Sequence, residues 1–170
     1  MPYTTTHVLV SIILIELFRE YFVKNNYRFP RYYILIAAIA GIFPDIEYIF
    51  QFPDLQRAFL HSLFTPLIFL ILGLVILKFN IKSSKVRERH LKLHLIAFIF
   101  AAGSLLHIIL DSVLRDGARL FYPFSDVLYG LNLISLLPGS ASFWLIALNT
   151  LLLFFWIFWM EFKLKVDDYF

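Results

Sequence analysis

A histidine and an aspartate near the end of a long apolar stretch are the first residues in this sequence that could support chemistry. His107 and Asp111 lie within the apolar run from Leu91 to Leu114. In a helix, positions i and i+4 lie one turn apart on the same face, so the imidazole and the carboxylate point the same way. A carboxylate at membrane depth costs about 2.5–3.5 kcal/mol unless it meets a cation, a partner or water. The pair therefore forms half of a metal site, or else it marks the point where the helix reaches the aqueous surface.

The composition indicates the environment of this pair. Of the 170 residues, 61% are hydrophobic and 16% are charged, whereas in soluble proteins these fractions are about a half and about a quarter. We therefore expect an all-α, polytopic membrane bundle of about five transmembrane helices, in a single domain over residues 1–170. The chain has no cysteine, so any metal must be held by nitrogen and oxygen. The net charge of +3 is spread over loops and no nucleic-acid motif is present, so the expected partner is membrane lipid and not nucleic acid.

Five apolar segments could cross a bilayer. They cover residues 5–23, 32–50, 59–79, 91–114 and 141–163. No basic stretch precedes His7, so we expect the first segment to be a retained helix and not a cleaved signal peptide. Pro44 removes a helical hydrogen bond, which predicts a break near Phe43 and places Asp45 on irregular backbone. Such backbone persists at membrane depth only where it is buried in protein or lines a wet cavity.

Several other polar residues have simpler interpretations. Glu16, Arg19 and Glu20 lie within about one helical turn of each other, which indicates an interfacial ion-pair cluster. His90 and His94 also have i,i+4 spacing, but they sit at the end of a basic loop, where an ordinary interfacial role is expected.

The last part of the chain is less informative. The connection from Arg115 to Ser140 is long, and long loops in small proteins are often functional. The final helix has tryptophans near its ends, as in an aromatic belt, and Asn149 is its one buried polar candidate. We expect this helix to supply no chemistry.

The basic residues alternate between the two ends of the predicted helices. One end holds Lys24, Arg28, Arg31, Lys82, Lys85, Arg87, Arg89, Lys92, Lys163 and Lys165. The other end holds Arg57, Arg115 and Arg119. By the positive-inside rule the first end is cytoplasmic, which predicts a multi-pass protein with its N-terminus outside and its C-terminus in the cytoplasm.

This predicted topology places the candidate metal-binding residues at a common depth in the membrane. At 1.5 Å per residue, the outward third of four separate helices would hold His7, Asp45, His61, His107 and Asp111. Three imidazoles and two carboxylates suit a divalent metal ion, with zinc first and manganese or iron as alternatives. Each acid could ligate the metal or orient a ligating histidine. The competing interpretation is a coincidental set of interfacial polar residues.

Five short pieces of the chain, in this order, resemble the YdjM-like family of LexA-binding, inner-membrane-associated metal-dependent hydrolases. The pieces are Thr6-His7, Pro44 to Glu47, Arg57 to Ser62, His107 to Asp111, and Gly117 to Phe124. The family is distantly similar to the zinc-dependent phospholipase C and nuclease group, which implies an all-helical fold and metal-assisted hydrolysis of a phosphoester. The chain departs from the family at Glu47, where an aspartate is frequent, and at Gln56, where a histidine is frequent.

Three functions are compatible with these residues. A hydrolase would act on a phosphoester at the outer leaflet, such as a lipid head group, with Asp111 or Glu47 taking up a proton. Arg57 or Arg119 would neutralise phosphate charge, and otherwise these arginines would contact lipid head groups. A metal or proton carrier would need polar groups in both halves of the membrane, but the inner halves of the predicted helices are nearly devoid of them. A structural metal would instead join the helices.

The predicted orientation can be tested with reporter fusions. A reporter fused after Asp168 is expected to be cytoplasmic, and one placed near Gly139 is expected outside, because basic residues cluster in alternate loops. The measurement is the activity of a fused enzyme that works in only one compartment. The opposite pattern would invert the orientation and move the polar candidates to the cytoplasmic side.

Overall fold

The described part of the protein is helical. The structure is a computed structural model, and it describes residues 4–23, 29–50, 59–79, 92–114 and 117–164. Within these ranges there are five α-helices, two 3₁₀ helices and no strand. The α-helices are α1 (Thr4–Phe22), α2 (Tyr32–Ile42), α3 (Phe64–Lys78), α4 (Leu93–Leu114) and α5 (Ala141–Leu164). The 3₁₀ helices are Phe43–Phe50 and Leu133–Leu136. The all-α prediction is therefore confirmed for the described residues.

The second apolar segment divides at the position predicted from its proline. α2 ends at Ile42, and the chain continues as the 3₁₀ helix Phe43–Phe50. Pro44 has no N–H, and its ring would clash with the carbonyl four residues earlier, so a regular α-helix cannot continue through it. The predicted break near Phe43 is confirmed, and it places Asp45 and Glu47 on the 3₁₀ helix.

Small residues let the central helices approach closely. α2 packs against both α1 and α4, while α3 packs on α4 and α5 contacts α1. A Cβ at Gly41 would come within 2.9 Å of the carbonyl oxygen of His7, and one at Gly103 would come within 2.8 Å of the carbonyl carbon of Ala40. The helices α1, α2 and α4 are thus too close together for any residue other than glycine at these two positions. This close packing sets the distances between their polar side chains.

Two of the three charged residues of α1 have tertiary partners that helical spacing did not predict. Arg19 Nε donates a hydrogen bond to Phe29 O over 2.9 Å, and Glu16 Oε2 accepts one from Trp156 Nε1 over 3.1 Å. Both side chains are buried. They therefore attach α1 to the segment before α2 and to α5.

Two helices are long and apolar enough to cross a membrane. They are Leu93–Leu114 and Ala141–Phe162. α3 is apolar but has only 15 residues, because Phe59–Leu63, which the sequence assigned to this helix, form turns. α2 has 11 residues, and the 19 residues of α1 include three charged side chains. A bundle of five spans therefore remains a prediction.

Gly103→Ala is expected to destabilise the bundle. The new Cβ would lie 2.6 Å from Ala40 Cβ and 2.8 Å from the Ala40 carbonyl carbon, so α2 and α4 would have to separate. Overpacking of this kind typically costs about 1–3 kcal/mol. Thermal unfolding in detergent measures the effect, with Ala102→Val at the exposed neighbouring position as the control. A melting temperature equal to that of the wild type would contradict the close approach of these helices.

Candidate metal centre

His61 is held in a turn by hydrogen bonds to the backbone around it. Ser62 Oγ, in the turn before α3, and Thr65 Oγ1, in the first turn of α3, both donate to Phe59 O, over 2.6 and 3.1 Å. Glu47 on the 3₁₀ helix accepts from Leu60 N through Oε1 and from His61 Nδ1 through Oε2, the latter over 2.9 Å. Because a carboxylate accepts, His61 Nδ1 carries the proton and Nε2 is left as the ligand nitrogen.

His107 is oriented in the same way by a backbone carbonyl. Its Nδ1 donates to Gly41 O over 2.7 Å. In a 3₁₀ continuation of α2, the donor to this carbonyl would be residue 44, which is proline and has no N–H. Pro44 therefore offers no competing donor to the Gly41 carbonyl in such a turn, and the lone pair of His107 is on Nε2.

Three donor atoms form a nearly equilateral triangle. His107 Nε2 lies 3.3 Å from His61 Nε2, and each nitrogen lies 3.5 Å from Asp45 Oδ1. Zinc bonds nitrogen and oxygen at about 2.0–2.2 Å, so neighbouring donors around a tetrahedral ion are about 3.3–3.6 Å apart. The triangle therefore has the dimensions of one face of a tetrahedral metal site.

Asp111 and His7 lie against this triangle. Asp111 Oδ2 is 3.6 Å from His107 Nε2 and 3.9 Å from His61 Nε2, which makes it a possible fourth donor. Asp111 Oδ1 lies 3.4 Å from His7 Nε2 but makes no hydrogen bond within the described residues. The rings of His7 and His107 are stacked, with centroids 3.8 Å apart. His7 thus contacts both the carboxylate of Asp111 and the imidazole ring of His107.

The arrangement of lone pairs favours a cation. The Nε2 atoms of His61 and His107 face each other, and carboxylates approach them from two sides. Buried acceptors with no donor between them are unfavourable unless a positive charge joins them. Two groups of three residues could each hold a metal ion, namely His7, His107 and Asp111, and Asp45, His61 and His107. His107 Nε2 is shared by both groups and has one lone pair, so the two groups are alternative ligand sets for a single ion.

The site is accessible from one direction. The side chains of His61, His107 and Asp111 are at most 4% exposed, whereas that of Asp45 is 20% exposed. A water molecule or a substrate would therefore approach from the side of Asp45.

A comparison with known protein families identifies the family of this chain. A family model described as YdjM inner membrane protein matches residues 1–165. The chain belongs to the YdjM inner membrane family. A search of curated proteins and a search of solved structures each found no match. Membership of the YdjM family and the two long apolar helices together indicate a membrane-associated protein.

In this YdjM-family protein, six of the predicted site residues come together. They are His7, Asp45, Glu47, His61, His107 and Asp111. Arg119 lies in the connection before α5, where its Nη1 is 4.0 Å from Asp126 Oδ1. The neighbouring Leu120 O accepts a hydrogen bond from Leu63 N, so the connection contacts the turn that contains His61. Arg57 lies outside the described residues.

Two supporting groups were missed by reasoning from the sequence. One is the Gly41 carbonyl, which a side-chain pattern cannot indicate. The other is the hydrogen bond from Thr6 Oγ1 to Asn149 Oδ1, over 2.6 Å, which connects α5 to the residue before His7. A lone asparagine in an apolar helix was the available signal, because it needs a polar partner.

Metal content should depend on the two histidines of the donor triangle. His61→Ala and His107→Ala are each expected to abolish binding of the ion, because each removes one vertex of the donor triangle. Glu47→Gln should weaken metal affinity by roughly 10–100-fold, because it alters the group that orients His61. The measurement is elemental analysis of purified protein, with His90→Ala and His94→Ala as controls that retain metal. Equal loss in all the variants would show that the metal binds elsewhere.

Proposed function

We propose that this YdjM-family protein is a membrane-embedded, metal-dependent hydrolase that acts on a phosphoester at the outer leaflet. The observation that carries the proposal is the triangle formed by Asp45, His61 and His107, with its accessible edge at Asp45. Catalytic metal sites keep one position open for water or substrate, whereas structural sites are closed by protein ligands. The proposal includes five membrane spans, with the N-terminus outside and the C-terminus in the cytoplasm.

The residues that hold the ion are assigned by distance. His61 Nε2, His107 Nε2 and Asp45 Oδ1 would be its ligands, and zinc is proposed first, with manganese or iron as alternatives. Such an ion acidifies water and polarises a phosphoryl oxygen. Glu47 acts through His61, which it holds in the tautomer that presents Nε2.

Asp111 is the best placed proton acceptor. Glu47 uses both carboxylate oxygens to accept hydrogen bonds from Leu60 N and His61 Nδ1, so it has less capacity to take up a proton. Asp111 has Oδ2 beside the triangle and Oδ1 without a hydrogen bond, 3.4 Å from His7 Nε2. We therefore assign proton uptake to Asp111 and onward transfer to His7.

Arginine would neutralise the phosphate group. Arg119 pairs only loosely with the exposed Asp126, at 4.0 Å, and its connection touches the turn of His61. An exposed pair of this kind contributes little stability, so Arg119 is available to a phosphate. Arg57 is proposed for the same role as an alternative to Arg119, as a second arginine predicted at this end of the helices.

A structural metal is the second candidate function. The specific observation in its favour is that Asp111 Oδ2, at 3.6 and 3.9 Å from the two histidine nitrogens, could complete a four-ligand shell made entirely of protein. Such an ion would join α2, α4 and the turn before α3, and its binding free energy would be folding free energy.

Asp111→Asn separates the two functions. Asparagine preserves size and much of the hydrogen bonding but removes the basic carboxylate. If the protein is a hydrolase, activity should fall by at least about 100-fold, as for loss of a general base, while metal content and fold persist. If the metal is structural, the variant should instead lose metal and melting temperature together.

The measurements are phosphoesterase activity and melting curves with and without chelator, for wild type and variant. Ser112→Ala, next to Asp111 on α4, is a matched control that should leave both readouts unchanged. A wild-type protein that hydrolyses no phosphoester and melts far lower after chelation would exclude the enzyme in favour of the structural metal.

A further inference from the structure

The connection between α4 and α5 exposes many large apolar side chains. The structure describes it over residues 117–140, which include the 3₁₀ helix Leu133–Leu136 and only two charged residues, Arg119 and Asp126. An apolar surface of this kind is unfavourable in water, and in native proteins it marks a contact with a membrane or a partner. The exposed apolar side chains occur along the whole connection and are Phe121, Phe124, Val127, Leu128, Tyr129, Leu131, Leu133, Leu136 and Leu137.

The connection has a defined backbone fold that is attached to the end of α4. Ala118 and Tyr129 each donate a backbone hydrogen bond to the carbonyl of the other, over 3.0 Å, which closes the chain between them into a loop. Leu131 N donates to Ser112 O, in the last turn of α4, over 2.7 Å. The apolar side chains are therefore presented by a folded segment that packs on the end of the bundle.

The backbone of the connection excludes the hydrocarbon core of a membrane as its surroundings. The N–H groups of Asp126 and Leu128 donate to no carbonyl within the described residues, and both residues are exposed. In hydrocarbon an N–H group without an acceptor is so costly that irregular backbone facing lipid does not occur at that depth. The connection therefore needs water at its backbone and an apolar medium at its side chains. These two media meet at the lipid–water interface.

The apolar surface of the connection continues onto α5. This helix begins at Ala141, and Phe143 and Ile146 near its start are exposed. α5 is long enough to cross a membrane and only 6% of its apolar stretch is buried, so in an inner-membrane protein it faces lipid. Trp144 Nε1 donates to Pro138 O over 2.8 Å, and tryptophan is enriched at membrane interfaces because its ring is apolar and its N–H is polar. The connection thus joins a helix surface that is itself in contact with lipid.

We propose that the α4–α5 connection is inserted into the lipid–water interface, with its apolar side chains among the upper parts of the acyl chains and its backbone in contact with water. The partner is the bilayer itself. Arg119 and Asp126 have opposite charges, so attraction to anionic lipid does not hold the connection there. Leu63 N donates to Leu120 O over 3.0 Å, so insertion also holds the turn that carries His61 near this interface. The proposal depends on neither the metal nor the proposed hydrolase.

Spin labels on single cysteines measure the depth of the connection. The chain contains no cysteine, so one substitution creates one labelled position. Phe124→Cys and Leu136→Cys replace side chains that are 84% and 75% exposed, so these labels should leave the fold intact. The full-length protein in phosphatidylcholine nanodiscs is probed with oxygen, which concentrates among acyl chains, and with a water-soluble nickel complex. Both labels are expected to collide more often with oxygen than with the nickel complex.

Two further positions provide references within the same protein. Asp126→Cys replaces a polar side chain of the connection that is 80% exposed, and its label should collide mainly with the nickel complex. Leu151→Cys lies ten residues after Ala141 on α5, about 15 Å along the helix, and its label should show the largest excess of oxygen collisions. Phe124 and Leu136 are expected between these two references. Nanodiscs that also contain anionic phosphatidylglycerol should give the same order.

Three results would overturn the proposal. Nickel collisions at Phe124 and Leu136 as frequent as those at Asp126 would place the connection in water. Labels that collide with neither probe and show spectra broadened by spin–spin coupling would show that a second copy of the chain covers this surface. Oxygen contact that appears only with phosphatidylglycerol would assign the binding to charge. A lack of phosphoester hydrolysis would exclude the enzyme but would not change these depths, because no substrate enters the measurement.

Discussion

The hydrogen bond from His107 Nδ1 to the carbonyl of Gly41 is the interaction on which the candidate metal centre depends. Pro44 breaks α2 and offers that carbonyl no competing N–H in a 3₁₀ turn, and the hydrogen bond aims His107 Nε2 at the triangle of donors. The same break turns the chain into the 3₁₀ helix that supplies Asp45 and Glu47. One proline therefore orients a histidine on another helix and positions two carboxylates.

Close helix packing is the second constraint. Gly41 and Gly103 bring α1 and α4 against α2, which is why His7 can stack on His107 with ring centroids 3.8 Å apart. In membranes, small residues serve this purpose because dispersion and hydrogen bonds, more than hydrophobic burial, join the helices.

Hydrogen-bonding side chains surround the site, whereas other surfaces of the protein are apolar. Glu47, Thr6 and Asn149 provide hydrogen bonds around the histidines, while much of the outer surface of α3 and α5 consists of exposed large apolar side chains. A buried set of acids and imidazoles in such a protein is costly without an ion, which accounts for the concentration of these polar groups in one cluster.

The sequence by itself determined the helical class, the break at Pro44 and the identity of the polar cluster. Hydrophobic periodicity and length predict helices, proline stops one of them, and charged or imidazole groups in apolar segments are rare enough to be recognised individually. These are local properties, and each can be read from a few neighbouring residues. The length of α3 was overestimated, because the apolar run continues through the turns at Phe59–Leu63 without any change in composition.

Only the tertiary structure decided which polar residues meet and which of their atoms face one another. The sequence did not distinguish Glu47 from Asp111 as the candidate for proton uptake. In the structure their hydrogen bonding differs, because both Glu47 oxygens accept hydrogen bonds while Asp111 Oδ2 faces the triangle of donors. Three polar side chains have hydrogen-bond partners on distant segments, which no spacing rule predicts. They are Asn149, Glu16 and Arg19. The reason is physical: a ligand set requires donor atoms within a few ångström, and that distance is set by how closely helices pack and by backbone carbonyls, neither of which is encoded in the pattern of any single segment.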